Sequence, residues 1–246
     1  MIGQRARNEV PWLTRAQMVE VDRLMVEDYR IGLMQMMENA GRHLAILARW
    51  RFLNGDPRDC SVVVLAGSGG NGGGVLVCAR HLANWGAKVR VCLTKAPAAL
   101  SGVPRRQLEG LVSMGLPIAQ GAADVQAEDT PDLVVDGLIG YSLSGAPRGV
   151  AADLIRWAGV QAGPVLALDV PSGVDVDTGE ALPPTIRATA TMTLALPKVG
   201  LQRSEATPYV GELYLADISV PPGLYAGVGV DVGPDLFARY GILHLV

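Results

Sequence analysis

The chain has 246 residues, of which 49% are hydrophobic and 18% are charged, and its net charge is −3. This composition excludes a disordered protein, and the slightly acidic balance provides no basic surface for nucleic acid or an anionic membrane. No apolar run is long enough to span a membrane, and no secretory signal precedes the first helix, so we expect a soluble, cytoplasmic protein.

The first predicted elements are two helices. Thr14 and Gln17 form a capping-box pattern at the start of a helix that should run to about Tyr29. A second helix is predicted from about Leu33, because apolar residues recur on one helical face. A Gly-Asp-Pro turn at 55–57 ends this region.

From residue 61 onward, apolar strands alternate with helical segments. Strands are predicted at 61–66, 88–93, 116–119, 133–136 and 165–169, with later β runs at 188–196 and 211–220. Helices are predicted at 72–85, 104–114 and 150–158. Continuous apolar strands with helical crossovers are typical of a doubly wound, mostly parallel sheet. No linker or repeat interrupts the pattern, so we predict one α/β domain over residues 1–246.

A glycine-rich loop joins the first strand of this pattern to its helix. It reads Gly67-Ser-Gly-Gly-Asn-Gly-Gly-Gly74 and contains G-x-G-x-x-G, which favours a ligand at the helix N-terminus over a purely structural turn. The next strand ends without the acidic residue that a dinucleotide-binding dehydrogenase uses for the ribose. No Gly-Lys-Ser/Thr follows the loop, so a Walker A nucleotide site is also disfavoured.

Two acidic residues follow buried strands. Asp136 and Asp169 each stand where an apolar run gives way to a glycine-bearing loop. Such loops meet the glycine-rich loop at one edge of a parallel sheet, where a carboxylate can act as acid or base, bind a ribose or hold a cation. The alternative is a carboxylate that only caps the next turn. The scattered histidines, and the absence of a nucleophile elbow at Ser172, disfavour a serine hydrolase.

Five segments, in this order, are similar to motifs of the NAD(P)H-hydrate epimerases, the YjeF N-terminal domain family. They are Leu33–Gly41, which includes Met37–Gly41, and Gly67–Leu82, Val135–Gly145, Asp169–Gly179 and Thr193–Lys198. The resemblance implies a three-layer αβα Rossmann-like domain. It also implies the interconversion of the R and S epimers of hydrated NADH and NADPH at C6, a metabolite-repair reaction, in a homodimer without an accompanying dehydratase domain.

The same resemblance implies roles for individual residues. Asp136 and Lys95 are the acid–base candidates, and Asn71, Asp136 and Ser172 would hold a potassium ion. The substrate would contact Gly70, Asn71, Gly72, Gly73, Gly74, Gly140, Tyr141, Ser142, Leu143, Ser144, Gly145, Ala146 and Asp169.

The glycine-rich loop departs from the family pattern at two positions. Gly70 and Gly74 stand where the family has an asparagine and an aspartate. Losing hydrogen bonds to a charged group costs about 1.5–3 kcal/mol each, which is one to two decades in affinity or rate. Two alternatives to the epimerase therefore stay open: a relative that acts on another small molecule, and a non-catalytic nucleotide-binding or scaffold module.

Overall fold

Residues 2–122 and 130–246 are described by a computed structural model, and their strands form a nine-stranded sheet. The strands coincide with apolar runs because aliphatic and β-branched side chains suit pleated positions that are buried on both faces. Their bounds are β1 Gly3–Arg5, β2 Ser61–Ala66, β3 Lys88–Leu93, β4 Ile118–Gln120, β5 Leu133–Gly137, β6 Val165–Leu168, β7 Ala190–Leu194, β8 Glu212–Ala216 and β9 Ile242–Leu245.

The strand order is β1-β9-β8-β7-β6-β5-β2-β3-β4. Neighbouring strands are parallel except for β8 and β9, which are antiparallel. The chain first moves outward from β2 to β3 and β4, and then returns to place β5 on the other side of β2. This reversal is a topological switch point, and ligands of open α/β sheets bind at the carboxyl ends of the strands beside it. The predicted doubly wound, mostly parallel sheet is confirmed.

Helices cover both faces of the sheet. Their bounds are α1 Arg15–Glu27, α2 Leu33–Arg51, α3 Gly70–Asn84, α4 Gly102–Ser113, α5 Gly149–Gly159 and α6 Thr207–Val210, with 3-10 turns at Arg7–Glu9, Pro97–Ala99, Val199–Gln202 and Pro222–Val228. The α2, α3 and α4 helices pack on the face formed by Val62, Val64 and Ala66. The α5 helix packs on the opposite face, against Val63 and Leu65, and α1 packs against β8. The three-layer αβα architecture follows from this alternation of buried side chains.

The α2 and α3 helices approach each other closely at Gly41. A Cβ atom at this position would lie 2.3 Å from the carbonyl oxygen of Gly74 and 2.4 Å from the Cβ of Val77. No side chain fits between the two helices here, so glycine is required. The family motif Met37–Gly41 therefore has a packing role, which brings α2 against the glycine-rich start of α3.

Several local predictions are confirmed and a few boundaries move. Thr14 and Gln17 form the predicted capping box. The α3 helix begins at Gly70, two residues earlier than predicted, because the glycine loop runs directly into the first turn. The short strands β1 and β9 were not predicted, since three or four residues show no clear periodicity. Within residues 2–122 and 130–246, no helix combines the length and the apolar character needed to cross a bilayer.

Candidate functional site

The glycine-rich loop contains two positions, Gly67 and Gly72, at which no side chain fits. A Cβ atom at Gly67 would lie 2.0 Å from the carbonyl oxygen of Leu138, and one at Gly72 would lie 1.8 Å from the carbonyl oxygen of Gly67. These two positions are therefore required by the fold. Gly69 differs, because a Cβ atom there would meet nothing within 4 Å. The space above Gly69 is open, as expected where a ligand approaches the backbone.

A large cavity of about 780 Å³ opens over this loop, at the carboxyl ends of β2 and β5. Its floor includes the first turn of α3, whose backbone N–H groups have no partner within the helix and favour an anion. The exposed side chains of Lys95 and Arg148 also line it. A helix N-terminus and two cations on one cavity are suited to a phosphate-bearing ligand.

The carboxylate of Asp136 lies beneath this cavity and is fully buried. Its oxygens accept hydrogen bonds from the hydroxyl of Ser172 at 2.7 Å, from the backbone N–H of Ser172 at 2.8 Å, and from the N–H of Leu138 at 3.1 Å. Burial outweighs these hydrogen bonds and raises the pKa of Asp136 to about 6. Among the described residues, no basic side chain forms an ion pair with it.

Asn71, in the first turn of α3, adds an amide oxygen to the site. Its Nδ2 donates to the carbonyl oxygen of Leu168 at 2.7 Å, which fixes the orientation of the side chain. A Cβ atom at Gly140 would lie 2.6 Å from the Asn71 Oδ1, so glycine is needed there to leave room for the amide. Hard oxygen donors thus come from the first turn of α3 (Asn71), the end of β5 (Asp136) and the loop after β6 (Ser172). This donor set fits a monovalent or other hard cation.

A smaller apolar cavity of about 90 Å³ adjoins the large one. Asp169 lies in its wall with a φ of +66°, a left-handed backbone conformation that is uncommon outside glycine. Its carboxylate contacts the ammonium of Lys198 and accepts hydrogen bonds at 3.3 Å from the Thr193 hydroxyl and from the Leu194 N–H. Lys198 is itself fully buried. The small cavity thus combines apolar walls with one buried ion pair.

The two cavities contain most of the residues singled out from the sequence. The large cavity is lined by Gly70, Asn71, Gly72, Lys95, Gly140, Tyr141 and Ser142, and the small one by Gly70, Asn71, Gly74, Tyr141 and Asp169. Asp136 and Ser172 lie beneath them. Outside both linings are Gly73, Leu143, Ser144, Gly145 and Ala146. Gly73 is buried against Met37, and Leu143 is buried in the following loop, whereas residues 144–146 are exposed.

Other residues of the site were missed by the sequence analysis. Asp22 of α1 and Leu33 and Met37 of α2 line both cavities, and Lys198 lines the small one. Lys198 belongs to the Thr193–Lys198 segment that resembles a family motif, so the sequence did contain a signal for it. Asp22 carried none, because an acidic residue on an amphipathic helix is ordinarily exposed to solvent.

Comparisons with known proteins identify the family of the chain. Residues 33–200 match the family model described as YjeF-related protein N-terminus. The chain belongs to this family.

Named relatives extend the match across most of the chain. An NAD(P)H-hydrate epimerase from Dehalogenimonas lykanthroporepellens is 45% identical over 89% of this chain and 86% of that protein. A second NAD(P)H-hydrate epimerase, from Rhodopirellula baltica, is 34% identical over 87% of this chain and 86% of that protein. The bifunctional NAD(P)H-hydrate repair enzyme Nnr of Moorella thermoacetica is 37% identical, but the match covers only 41% of that longer protein.

A solved structure shares the fold. The crystal structure of the yeast protein YNL200c superposes with a TM-score of 0.76 at 24% sequence identity, and the match covers 96% of this chain and 100% of that one. At this level of identity the likeness supports the three-layer architecture alone.

Proposed function

We propose that this protein is an NAD(P)H-hydrate epimerase, which interconverts the R and S epimers of hydrated NADH and NADPH at C6. The observation that carries the proposal is the identity of 45% over 89% of the chain with a protein of that name. The two adjoining cavities support it, because residues from each of the five segments that resemble the family motifs line them.

The substrate has a phosphate-bearing part and an uncharged ring, and the two cavities differ in the same way. The large cavity has a volume suited to a nucleotide, and the α3 N-terminus, Lys95 and Arg148 are groups that would bind its phosphates. The small cavity has apolar walls that include Met18, Met36 and Met37, and it suits a reduced nicotinamide ring. We therefore place the dinucleotide in the large cavity and its hydrated ring at the entrance of the small one.

A potassium ion would fit the oxygen donors between the loops. Asn71, Asp136 and Ser172 are the side chains that would hold it, as the resemblance implies. The buried carboxylate of Asp136 supports this assignment, since no basic side chain among the described residues compensates its charge. When bound, the ion would supply the positive charge that stabilises the three loops beside the phosphate-bearing substrate.

The acid–base roles of Asp136 and Lys95 stay predictions. Asp136 lies below the cavity floor, so we propose that its first contribution is to the cation site. Lys95 is exposed on the rim of the large cavity, where it is placed for a phosphate group. The single-domain organisation over residues 1–246 and the homodimer also stay predictions, which limited proteolysis and light scattering can check.

The proposed function is tested by the rate at which the purified protein interconverts the two epimers of hydrated NADH. Chromatography follows the epimers in potassium chloride and in choline chloride, with the uncatalysed rate as reference. We expect an acceleration that requires potassium. A folded protein with no acceleration in either salt contradicts the proposal and favours a changed substrate or a non-catalytic module. Acceleration that is equal in both salts contradicts the potassium site alone.

A further inference from the structure

Asp22 is an acidic residue at the junction of the two cavities. It belongs to α1 and lies next to the fully buried Val21, with its own carboxylate turned toward the site. The hydroxyl of Tyr141, in the loop after β5, donates a hydrogen bond to this carboxylate. Asp22 and Tyr141 are both among the residues that line the large and the small cavity.

The α1 helix makes a second contact that fixes this arrangement. Arg15 lies seven residues before Asp22, on the same face of the helix, and its Nη1 donates to the carbonyl oxygen of Leu143 at 2.9 Å. Arg15 is itself held by an ion pair of 2.6 Å with Asp175. The loop that carries Tyr141 is therefore attached to α1 at two points, and Asp22 is presented to the cavity by a rigid element.

The surroundings of Asp22 favour its protonated form. Burial raises the pKa of its carboxyl group, and this effect exceeds the lowering by the hydrogen bond from Tyr141. The other charged groups that face it belong to the small cavity: Asp169 raises the pKa further and Lys198 lowers it. The α2 side chains beside it, Leu33 and Met37, are apolar. A carboxyl group in a ligand cavity whose pKa is raised by burial is suited to general acid catalysis.

We propose that Asp22 is the proton donor for departure of the C6 hydroxyl group, an inference that rests on the proposed epimerase function. The C–O bond breaks with its electron pair on oxygen, and the hydroxyl group accepts the Asp22 proton and leaves as water. The lone pair of the adjacent ring nitrogen stabilises the resulting cation as a C=N bond. Water then adds to the opposite face of C6 and gives one proton to Asp169, so that substrate and product have the same atoms.

The cycle is completed by solvent, which returns a proton to Asp22 and removes one from Asp169. In the opposite direction the same steps convert the other epimer. Tyr141 has a separate part, since its hydrogen bond stabilises the Asp22 carboxylate and thereby adjusts how readily the proton is given up.

The test compares the epimerisation rates of the Asp22→Asn and Tyr141→Phe variants with wild type between pH 5 and 9, using the intact chain and hydrated NADH. We expect kcat of Asp22→Asn to fall by about 10²- to 10⁴-fold, with a smaller change in KM. A general acid must be protonated, so the wild-type kcat falls as pH rises through the pKa of Asp22. We expect this falling limb of the pH profile of kcat to be absent in Asp22→Asn and partly restored in Asp22→Glu.

Tyr141→Phe provides a second, independent readout. Without the phenol hydrogen bond the pKa of Asp22 rises, so the falling limb moves to higher pH. Glu20→Gln, an exposed acid on the same helix, is the matched control and leaves kcat unchanged. Urea denaturation of each variant establishes that it is folded.

Two results overturn the inference: a folded Asp22→Asn variant with kcat within about two-fold of wild type, or a Tyr141→Phe variant whose falling limb does not move. Both results are read against a wild-type protein that epimerises the substrate. A wild-type protein without activity instead contradicts the proposed function itself, and the two failures are thereby distinguished.

Discussion

Lys198 and Asp169 form an ion pair inside the small cavity, and their side chains are 0% and 3% exposed. The ammonium also donates to the Leu194 carbonyl oxygen at 2.9 Å and to the Thr193 hydroxyl at 3.3 Å. Burying two charges costs several kcal/mol for each ion, and only their close approach and these extra hydrogen bonds offset that cost. The pair therefore places a carboxylate in the wall of an otherwise apolar cavity, where it can contact a ligand.

Removing the ammonium should be strongly destabilising. In Lys198→Met the carboxylate of Asp169 stays buried without its partner, and we expect the free energy of unfolding to fall by about 3–5 kcal/mol. Urea denaturation at pH 7 measures the change. The double variant Lys198→Met/Asp169→Leu removes both charges and should recover much of the loss. A single variant as stable as wild type would show that the pair is not coupled in solution.

The second prediction concerns the cation site. Potassium bound at Asp136 should stabilise the folded state by mass action, so Tm should be higher in potassium chloride than in choline chloride at equal ionic strength. Asp136→Asn removes the carboxylate charge and should abolish this difference. Asp153→Asn, an exposed acid on α5, is the control and should retain it. Differential scanning calorimetry measures all three proteins, and a potassium effect that persists in Asp136→Asn would contradict the site.

The third prediction concerns two glycines of the glycine-rich loop, Gly70 and Gly74. A Cβ atom at Gly74 would lie 2.7 Å from the Cδ2 of Leu168, whereas at Gly70 the nearest atom is the Cε of Met37 at 3.9 Å. Gly70→Asn should therefore change the free energy of unfolding by less than about 1 kcal/mol. Gly74→Asp should lower it by about 1–3 kcal/mol, because the new side chain is overpacked.

Urea denaturation distinguishes these two variants, and Gly74→Asp/Leu168→Ala tests the cause. The smaller alanine leaves room for the aspartate, so the double variant should lose less stability than the sum of its single substitutions. Strict additivity would show that Leu168 is not the obstacle.

The fourth prediction concerns pH and the end of α2. Arg51 contacts Glu212 of β8 at 2.6 Å, and its hydrogen bonds lower the Glu212 pKa from 4.5 to about 2. A lowered pKa contributes stability that is present above about pH 4.5 and is lost as the pH falls toward 2. Because the pair is partly exposed, we expect Glu212→Gln to cost about 0.5–1 kcal/mol at pH 7. Unfolding at pH 7 and at pH 3 should show the difference shrinking in acid.

Glu109→Gln is the matched control for this pair. Glu109 forms an exposed ion pair with Arg105 within α4, at 2.9 Å. We expect its replacement to change stability by no more than a few tenths of a kcal/mol at either pH. An equal loss at pH 7 and pH 3 for Glu212→Gln would show that its contribution does not depend on charge.

The amino-acid sequence by itself determined the parallel sheet and the outline of the site. Apolar runs, glycines and helix signals recur along the chain, and the carboxyl ends of parallel strands must meet at one edge. The glycine-rich loop, Asp136 and Asp169 could therefore be assigned to a common crevice. The requirement for Gly72 is local as well, because a Cβ atom there would meet the carbonyl oxygen of Gly67 within the same loop.

Only the tertiary structure decided which groups face the cavities. Asp22 lies more than a hundred residues from Tyr141 along the chain, and nothing local indicates that α1 turns this carboxylate inward. Burial of Asp136 below the floor and pairing of Asp169 with Lys198 likewise depend on packing between distant segments. The antiparallel pairing of β8 with β9 could not be predicted either. A short strand such as β9 is stabilised by its neighbours, and its own residues show too little periodicity to indicate a strand.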